Sequence, residues 1–238
     1  MLLVVIVYSF VVSCELCADQ KCQRATPQIY NTKNTMQNPA NKKYSASFTA
    51  SALLYEEFVR TQEILCLDDF GSLMDAEVEE NKWLGIKTRA ARLRVVREMK
   101  KRHQQALPEF WPVFCNQGEA EQRLMLFFLC LKTYGLMLDF HIEVTLKHWK
   151  TLSDKLEVFD LQMRLDEIAS MDPEVQDWSE LTKQKTITVY LRTLKEAGLY
   201  KNNQLVRPPQ VGSDFWDYFI KNGEAWFPGA CFAPAAHR

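Results

Sequence analysis

The stretch LMLFFLCLKTYGLMLDF, Leu124 to Phe140, constrains this chain more than any other. It opens with eight consecutive apolar residues, and only Lys132 and Asp139 in it carry charge. A helix crossing a bilayer needs about 20 apolar residues, and this run is shorter and interrupted by Lys132 and Gly135. It is therefore expected to be a central helix buried on most sides, and the rest of the chain must supply the elements that cover it.

The remaining patterns supply helices. Hydrophobic residues make up 47% of the 238, ample for a core, while eight Gly and nine Pro are few for a chain built of many short strands. SASFTASALLYEEFVRTQEIL places Leu53, Leu54, Phe58, Ile64 and Leu65 near helical spacing, with Thr49 or Ser51 as N-cap. SLMDAEVEENKWL reads as a shorter helix ended by Gly85, and the segment after Thr88 as a longer one. FDLQMRLDEIA is another. Asp172-Pro173 marks a helix start, Thr182 can cap the helix after it, and Gly198 stops that helix. Leu199-Tyr200 and Leu205-Val206 then flank KNNQ, whose paired Asn suits a tight hairpin. The expected class is all-α, with two helix-turn-helix-like modules around the apolar central helix, the second winged by a short β-hairpin. The expected divisions are an extension over 1–43, a module with a basic helix over 44–118, central apolar helices over 119–170, and a winged module with its tail over 171–238.

Charge is segregated. From Lys82 to Arg102 stand nine Lys or Arg and one acid, Glu98; the other 217 residues hold 20 basic and 29 acidic side chains. On a helical wheel Ala91, Val95, Val96 and Met99 share one arc with Thr88, and Lys87, Arg94, Arg97, Lys100 and Lys101 the opposite one. A solvated helix face usually mixes signs, because like charges three or four residues apart repel by a few tenths of a kcal/mol per pair. An anionic partner would turn that repulsion into binding energy. The second module repeats the design. Ile187, Tyr190, Leu191, Leu194 and Ala197 form its apolar arc, and Lys185, Thr188, Arg192 and Lys195 its outer face. A longer second helix with a basic outer face suits the major groove of duplex DNA, where Lys, Arg and Thr reach phosphates and base edges. The candidate contacts are Lys87, Arg89, Arg94, Arg97, Lys100 and Lys101 in the first module. In the second they are Lys183, Lys185, Thr188, Arg192, Lys195 and Arg207.

Other chemistry is weakly represented. The sequence has no P-loop, Gly-rich nucleotide fingerprint or nucleophile motif, so no catalytic residue, cofactor or small-molecule substrate is expected. Its aromatics stand at core spacings and offer no stacking platform for single strands. His141 and His148, seven apart with Glu143 between, read as packing or surface residues rather than metal ligands. Cys66, Cys115, Cys130 and Cys231 are scattered among apolar neighbours and read as buried free thiols of a reducing compartment. Cys14, Cys17 and Cys22 have a CxxC spacing but lack the fourth ligand a zinc site needs.

The first 40 residues read differently. Leu2 to Ser13 are uncharged and mostly apolar, the length of a signal-peptide core, and VVSC resembles a lipoprotein cleavage box. No Lys or Arg precedes them, and the segment that follows is polar and turn-rich. The expected explanation is a translation start assigned upstream of the true one, with Met36 just ahead of the first patterned helix. Localisation is then cytoplasmic; the alternative is membrane association through the apolar N-terminal segment.

Four stretches also resemble the BrxA proteins of BREX bacteriophage-exclusion systems: YSASFTASALLYEE, ENKWLGIKTRAARLRVVREMKKR, LKTYGLMLDFHIEV and WSELTKQKTITVYLRTLKEAGLY. The resemblance runs from about Tyr44 to the region of Phe219 and leaves out the first 40 residues. It implies an all-α fold with helix-turn-helix motifs beside positive surface, a DNA-binding role, and service in phage defence alongside other system components. The expected function is that of a non-enzymatic accessory protein, a monomer binding double-stranded DNA and possible partner of other BREX components. The alternatives are a scaffold docking acidic partner proteins and an RNA-binding helical protein. If patterned order begins at Tyr44, a chain starting at Met36 should melt within about 2 °C of the full-length protein in a thermal scan. A larger loss of stability would count against this reading of the amino terminus.

Overall fold

The apolar stretch lies at the centre of the fold, but as two helices rather than one. The structure, a computed structural model, describes residues 44–151, 154–208 and 211–233. The expectations for residues 1–43, including Cys14, Cys17 and Cys22, lie outside the described residues. In chain order the helices are α1 Tyr55–Arg60, α2 Phe70–Glu80, α3 Arg89–His103, α4 Phe110–Cys115, α5 Glu119–Thr133 and α6 Gly135–Asp139. A π-helical turn, Phe140–Thr145, leads into α7 Leu146–Lys150. Then come α8 Val158–Met171, α9 Pro173–Gln176 and α10 Glu180–Glu196, the hairpin β1 Tyr200–Lys201 and β2 Gln204–Leu205, and finally α11 Ser213–Lys221 and α12 Phe227–Ala230. The protein is thus mostly helical, with a single two-stranded antiparallel hairpin among the described residues.

Leu124 to Leu131 of α5 are all fully buried. Helices α1, α3, α4, α6 and α10 pack around them. Each such side chain contributes about 1.5–3 kcal/mol by leaving water, which makes α5 the axis of the core. Between Thr133 and Gly135 the chain turns through 109°. Tyr134 ends α5 and starts α6 with an extended backbone (ψ 107°). Among the described residues no single helix is long and apolar enough to cross a membrane.

The break is fixed from outside. The Tyr134 hydroxyl accepts a hydrogen bond from Arg102 Nε at 3.0 Å and donates to the Glu98 carboxylate. Arg102 is fully buried, and its remaining donors go to Leu53 O at 2.8 Å and to Ser51 O and Oγ at 3.3 Å. These bonds also explain the fate of the expected first helix, which is broken into a 3-10 turn Ser47–Ala50, the short α1 and a second 3-10 turn Gln62–Ile64. A continuous helix would use the carbonyls of Ser51 and Leu53 internally; here a guanidinium takes them. Glu196 Oε2 accepts from Leu53 N at 2.9 Å, and Leu54 begins α1 in a left-handed conformation (φ 61°).

Two other boundaries differ from expectation. Helix α2 begins at Phe70 and ends at Asn81 (φ 51°) rather than at Gly85, because Asn tolerates the left-handed terminating position. Helix α10 starts with Ser179 as N-cap, its Oγ accepting from Thr182 N at 3.2 Å, so Thr182 lies in the first turn and not at the cap. The Asp172-Pro173 start is as expected, with Asp172 accepting from Glu174 N at 3.0 Å. So is the hairpin: Tyr200 pairs with Leu205 and Lys201 with Gln204 across Asn202 and Asn203, both at positive φ (52° and 60°).

His141, expected among packing residues, is fully buried in a polar chain. Its Nε2 is 2.8 Å from Ala230 O, which can only accept, so Nε2 carries the proton. Nδ1 then accepts from the Tyr190 hydroxyl at 3.0 Å, and Thr145 donates to Tyr190 at 2.6 Å. Three elements are joined this way: the π-helical turn, α10 and α12. His148 is part-buried beside Asp160 at 3.8 Å.

Two outcomes follow. Replacing Arg102 by Met leaves the Tyr134 hydroxyl and two backbone carbonyls short of a donor inside the core and takes the neighbouring positive charge from Glu98; urea unfolding should show a loss of about 3–5 kcal/mol. A loss under about 1 kcal/mol would mean the cluster is not needed. Burial also pushes the His141 imidazole down to about 4, the bond to Ala230 O opposing only in part. Unfolded histidine titrates near 6.5, so between those values the unfolded chain holds a proton the folded chain lacks. This contribution is complete above about pH 6.5 and is lost as pH falls towards 4, by about 3 kcal/mol in all. His141→Gln should flatten stability against pH in that window relative to the parent; an unchanged slope would rule the assignment out.

Candidate nucleic-acid interface

The turn between α2 and α3 is built from side chains that replace missing backbone partners. Glu77, fully buried, accepts from the backbone N–H groups of Lys82, Trp83 and Leu84 at 2.8, 3.0 and 2.7 Å. Asn81 Oδ1 accepts from Ile86 N at 3.0 Å. Arg92 reaches back from α3, its Nε to Val78 O and its NH1 to Ile86 O, both at 2.7 Å. Arg60 NH1 donates to Leu84 O at 2.8 Å. The Val78 carbonyl near the end of α2 and four N–H groups of the turn are thereby satisfied, and the start of α3 is fixed relative to α2. Thr88 caps α3, its Oγ1 accepting from Ala91 N at 3.3 Å.

The nine basic residues of this segment divide into three kinds. Arg92 and Arg102 are structural, spent on backbone carbonyls and on Tyr134. Four have local partners. Arg89 pairs with Glu79, and Lys100 with Asp75 at 2.6 Å. Lys101 donates to Ser47 Oγ at 3.0 Å with its ammonium 4.8 Å from the Tyr134 ring, and Lys82 lies 4.4 Å over the Trp83 ring. Lys87, Arg94 and Arg97 remain, exposed and with no ion pair among the described residues. Arg97, Lys100, Lys101, Asp75, Leu93 and Gln104 line a shallow groove of about 410 Å³ beside α3. Val96 and Met99 are buried as expected, Val95 packs against the core, and Glu98 and Arg102 are buried with them.

Helix α10 presents Lys185, Thr188, Arg192 and Lys195 to solvent, and buries Ile187, Tyr190, Leu194 and Ala197, with Leu191 packed at the edge. Lys185 and Lys195 make no ion pair among the described residues. Arg192 pairs with Glu196 at 2.7 Å, Lys183 with Glu180 at 3.1 Å, and the Thr188 hydroxyl donates to Gln184 O at 2.9 Å. Arg207 is exposed beyond the hairpin, 6.0 Å from the Trp149 ring. Leu181, 75% exposed, stands four residues before Lys185 on the same face.

One backbone segment joins the two helices. Leu53 gives its carbonyl to Arg102 of α3 and its N–H to Glu196 of α10, and the Ser47–Ala50 turn packs against both. The candidate residues of the two modules therefore sit on helices with a common anchor.

Sequence reasoning counted Arg92 and Arg102 in the basic cluster without placing them on either arc, and missed Glu77 and the exposed Leu181. A signal was present for the α3 pair. Glu98 stands one heptad after Ala91 and Arg102 one heptad after Val95, which puts both on the apolar arc and four residues apart. No comparable periodic signal marks Glu77, whose partners are all backbone groups of the following turn.

Comparison with known proteins bears on the same region. A family model described as BrxA matches residues 42–223. Among solved structures, an uncharacterized protein from Magnetospirillum magneticum superposes with a TM-score of 0.64 at 19% sequence identity. The match covers 81% of this chain and 99% of that one, and it shows a shared fold. A search of curated proteins found no match.

Proposed function

The chain belongs to the BrxA family, a membership that implies a BREX-associated role in phage defence, and from there we propose that it acts by binding double-stranded DNA without catalysing a reaction of its own. The observation that carries this reading is the sorting of charge on α3. Among the described residues six of the nine cations have protein partners, and the three for which none is found there, Lys87, Arg94 and Arg97, are all exposed. Arg94 and Arg97, three residues apart, share one side of α3, and Lys87 stands just before the helix, ahead of its Thr88 cap. Unpaired like charges held on one face repel, and phosphate relieves that repulsion while releasing condensed counterions.

The second module supports the same reading. The order of α9, a turn at Asp177 to Ser179, α10 and the Asn202-Asn203 hairpin is that of a winged helix-turn-helix. On the outer face of α10 an exposed Leu181 precedes Lys185 and Thr188. An apolar side chain beside basic ones suits a groove wall, where thymine methyl groups accept apolar contact. Duplex binding in the cytoplasm, alongside other BREX components, is the role this reading gives the protein.

Lys87, Arg94 and Arg97 are the residues to change, since Lys101 is engaged with Ser47 and Tyr134 and would disturb the fold. With all three changed to Glu, the melting curve should stay within about 2 °C of the parent, because exposed charges carry little stability. Duplex affinity should fall at least tenfold at matched salt. Each single Arg→Ala should flatten the slope of log K against log salt by about one unit. Lys185→Ala and Lys195→Ala should do the same if both helices engage one duplex. Undiminished duplex binding by the triple Glu variant would reject α3 as the DNA face. A preference for duplex RNA, or binding only to acidic proteins, would reject the function.

A further inference from the structure

Cys66 and Cys115 were expected among the buried thiols, and the structure corrects that. Cys130 and Cys231 are buried, but Cys66 is exposed and Cys115 is part-exposed. The turn after Gln62–Ile64 carries Cys66 at the surface, and Cys115 is the last residue of α4. The two segments are tied by a reciprocal pair of contacts: Gln62 Nε2 donates to Cys115 O at 3.1 Å, and Cys115 Sγ donates to Gln62 O at 3.9 Å. Successive tight turns, Leu65 N to Gln62 O at 3.4 Å and Leu67 N to Ile64 O at 3.1 Å, bring Cys66 back over Gln62. Cys66 and Cys115 are thereby neighbours, close enough for the Cys66 thiol to act on that of Cys115.

We infer that Cys66 and Cys115 form a thiol–disulfide site, closed by a low-molecular-weight disulfide such as oxidised glutathione. The exposed Cys66 thiolate attacks one sulfur of the oxidant, giving a mixed disulfide and releasing one glutathione thiolate. Cys115, as thiolate, then attacks the Cys66 sulfur, forming the protein disulfide and releasing the second glutathione. Two protein thiols are oxidised, one oxidant disulfide is reduced, and the two thiol protons end on the two glutathione products. Burial, and after it the neighbouring Cys66, push the Cys115 thiol above its ordinary range. The closing step therefore speeds up as pH rises.

The bridge would enclose residues 66 to 115, a 50-residue loop holding α2, the basic helix α3 and α4. The last residue of α3 already rests on both segments to be joined. His103 stacks between Phe70 and Trp111, with ring centroids 4.0 and 4.8 Å away, and its Nε2 is 3.0 Å from Leu65 O. A disulfide there clamps the end of the basic helix without touching its outer face. This inference is independent of the DNA-binding reading.

The test uses the full-length protein, fully reduced and then exposed to oxidised glutathione near pH 8, with free thiols alkylated before a non-reducing digest. Mass spectrometry should find the Cys66 and Cys115 peptides joined. The melting temperature should rise by several degrees, as closing a loop of this length predicts, and dithiothreitol should reverse both changes. Cys66→Ser and Cys115→Ser should each abolish the rise, while a triple Cys14→Ser, Cys17→Ser, Cys22→Ser variant should keep it. A glutathione adduct persisting on Cys66 with Cys115 free would overturn the proposal. So would a bridge from either to another cysteine, or joined peptides with no change in melting.

Discussion

The backbone of Leu53 is held from both sides, and much of the fold depends on it. Its carbonyl takes a hydrogen bond from the buried Arg102 of α3, and its N–H gives one to Glu196 of α10. A segment that would otherwise coil into a helix is kept open and used as a strut between two helices distant in sequence. Arg102 also binds Tyr134, the residue at which the central apolar run bends by 109°. One guanidinium thus sets the opening of the N-terminal segment and the break in the core. A buried charge is tolerable only because each of its three nitrogens has an acceptor and because Glu98 lies in the same cluster.

Positive charge in this protein is of two kinds. Arg60, Arg92 and Arg102 serve the fold, donating to carbonyl groups that turns and helix ends leave unpaired. Lys87, Arg94 and Arg97 are exposed and make no such contact among the described residues. Guanidinium suits the structural task because it offers several donors in a fixed plane and stays charged when buried. Segregated charge in a sequence is therefore an incomplete guide to a binding face until the structural arginines are removed from it.

The buried polar groups around α10 act in the same way on the other side of the core. Thr145, Tyr190 and His141 pass hydrogen bonds from one to the next and end on Ala230 O, joining a π-helical turn, α10 and α12. Such a chain fixes orientation as well as proximity, since every member has a defined donor and acceptor. The outer face of α10 is oriented by the same contacts that satisfy its inner one.

The sequence by itself determined the helical class, the central place of Leu124 to Leu131, the apolar arcs of α3 and α10, the Asp172-Pro173 start and the Asn202-Asn203 hairpin. All of these rest on local rules: periodicity, caps, and the few residues that accept positive φ. The family was also legible, through four stretches of resemblance. Only the tertiary structure decided that the first expected helix is broken at residues 51–54, that the central run bends at Tyr134, that two of the nine clustered cations are structural, and that Cys66 meets Cys115. Each of these depends on groups far apart in the chain. Arg102 and Leu53 are 49 residues apart, and Leu53 and Glu196 are 143 apart. Hydrogen-bond partners at such separations leave no periodic trace in sequence, because a buried polar group must be satisfied but its partner can come from anywhere the packing brings it.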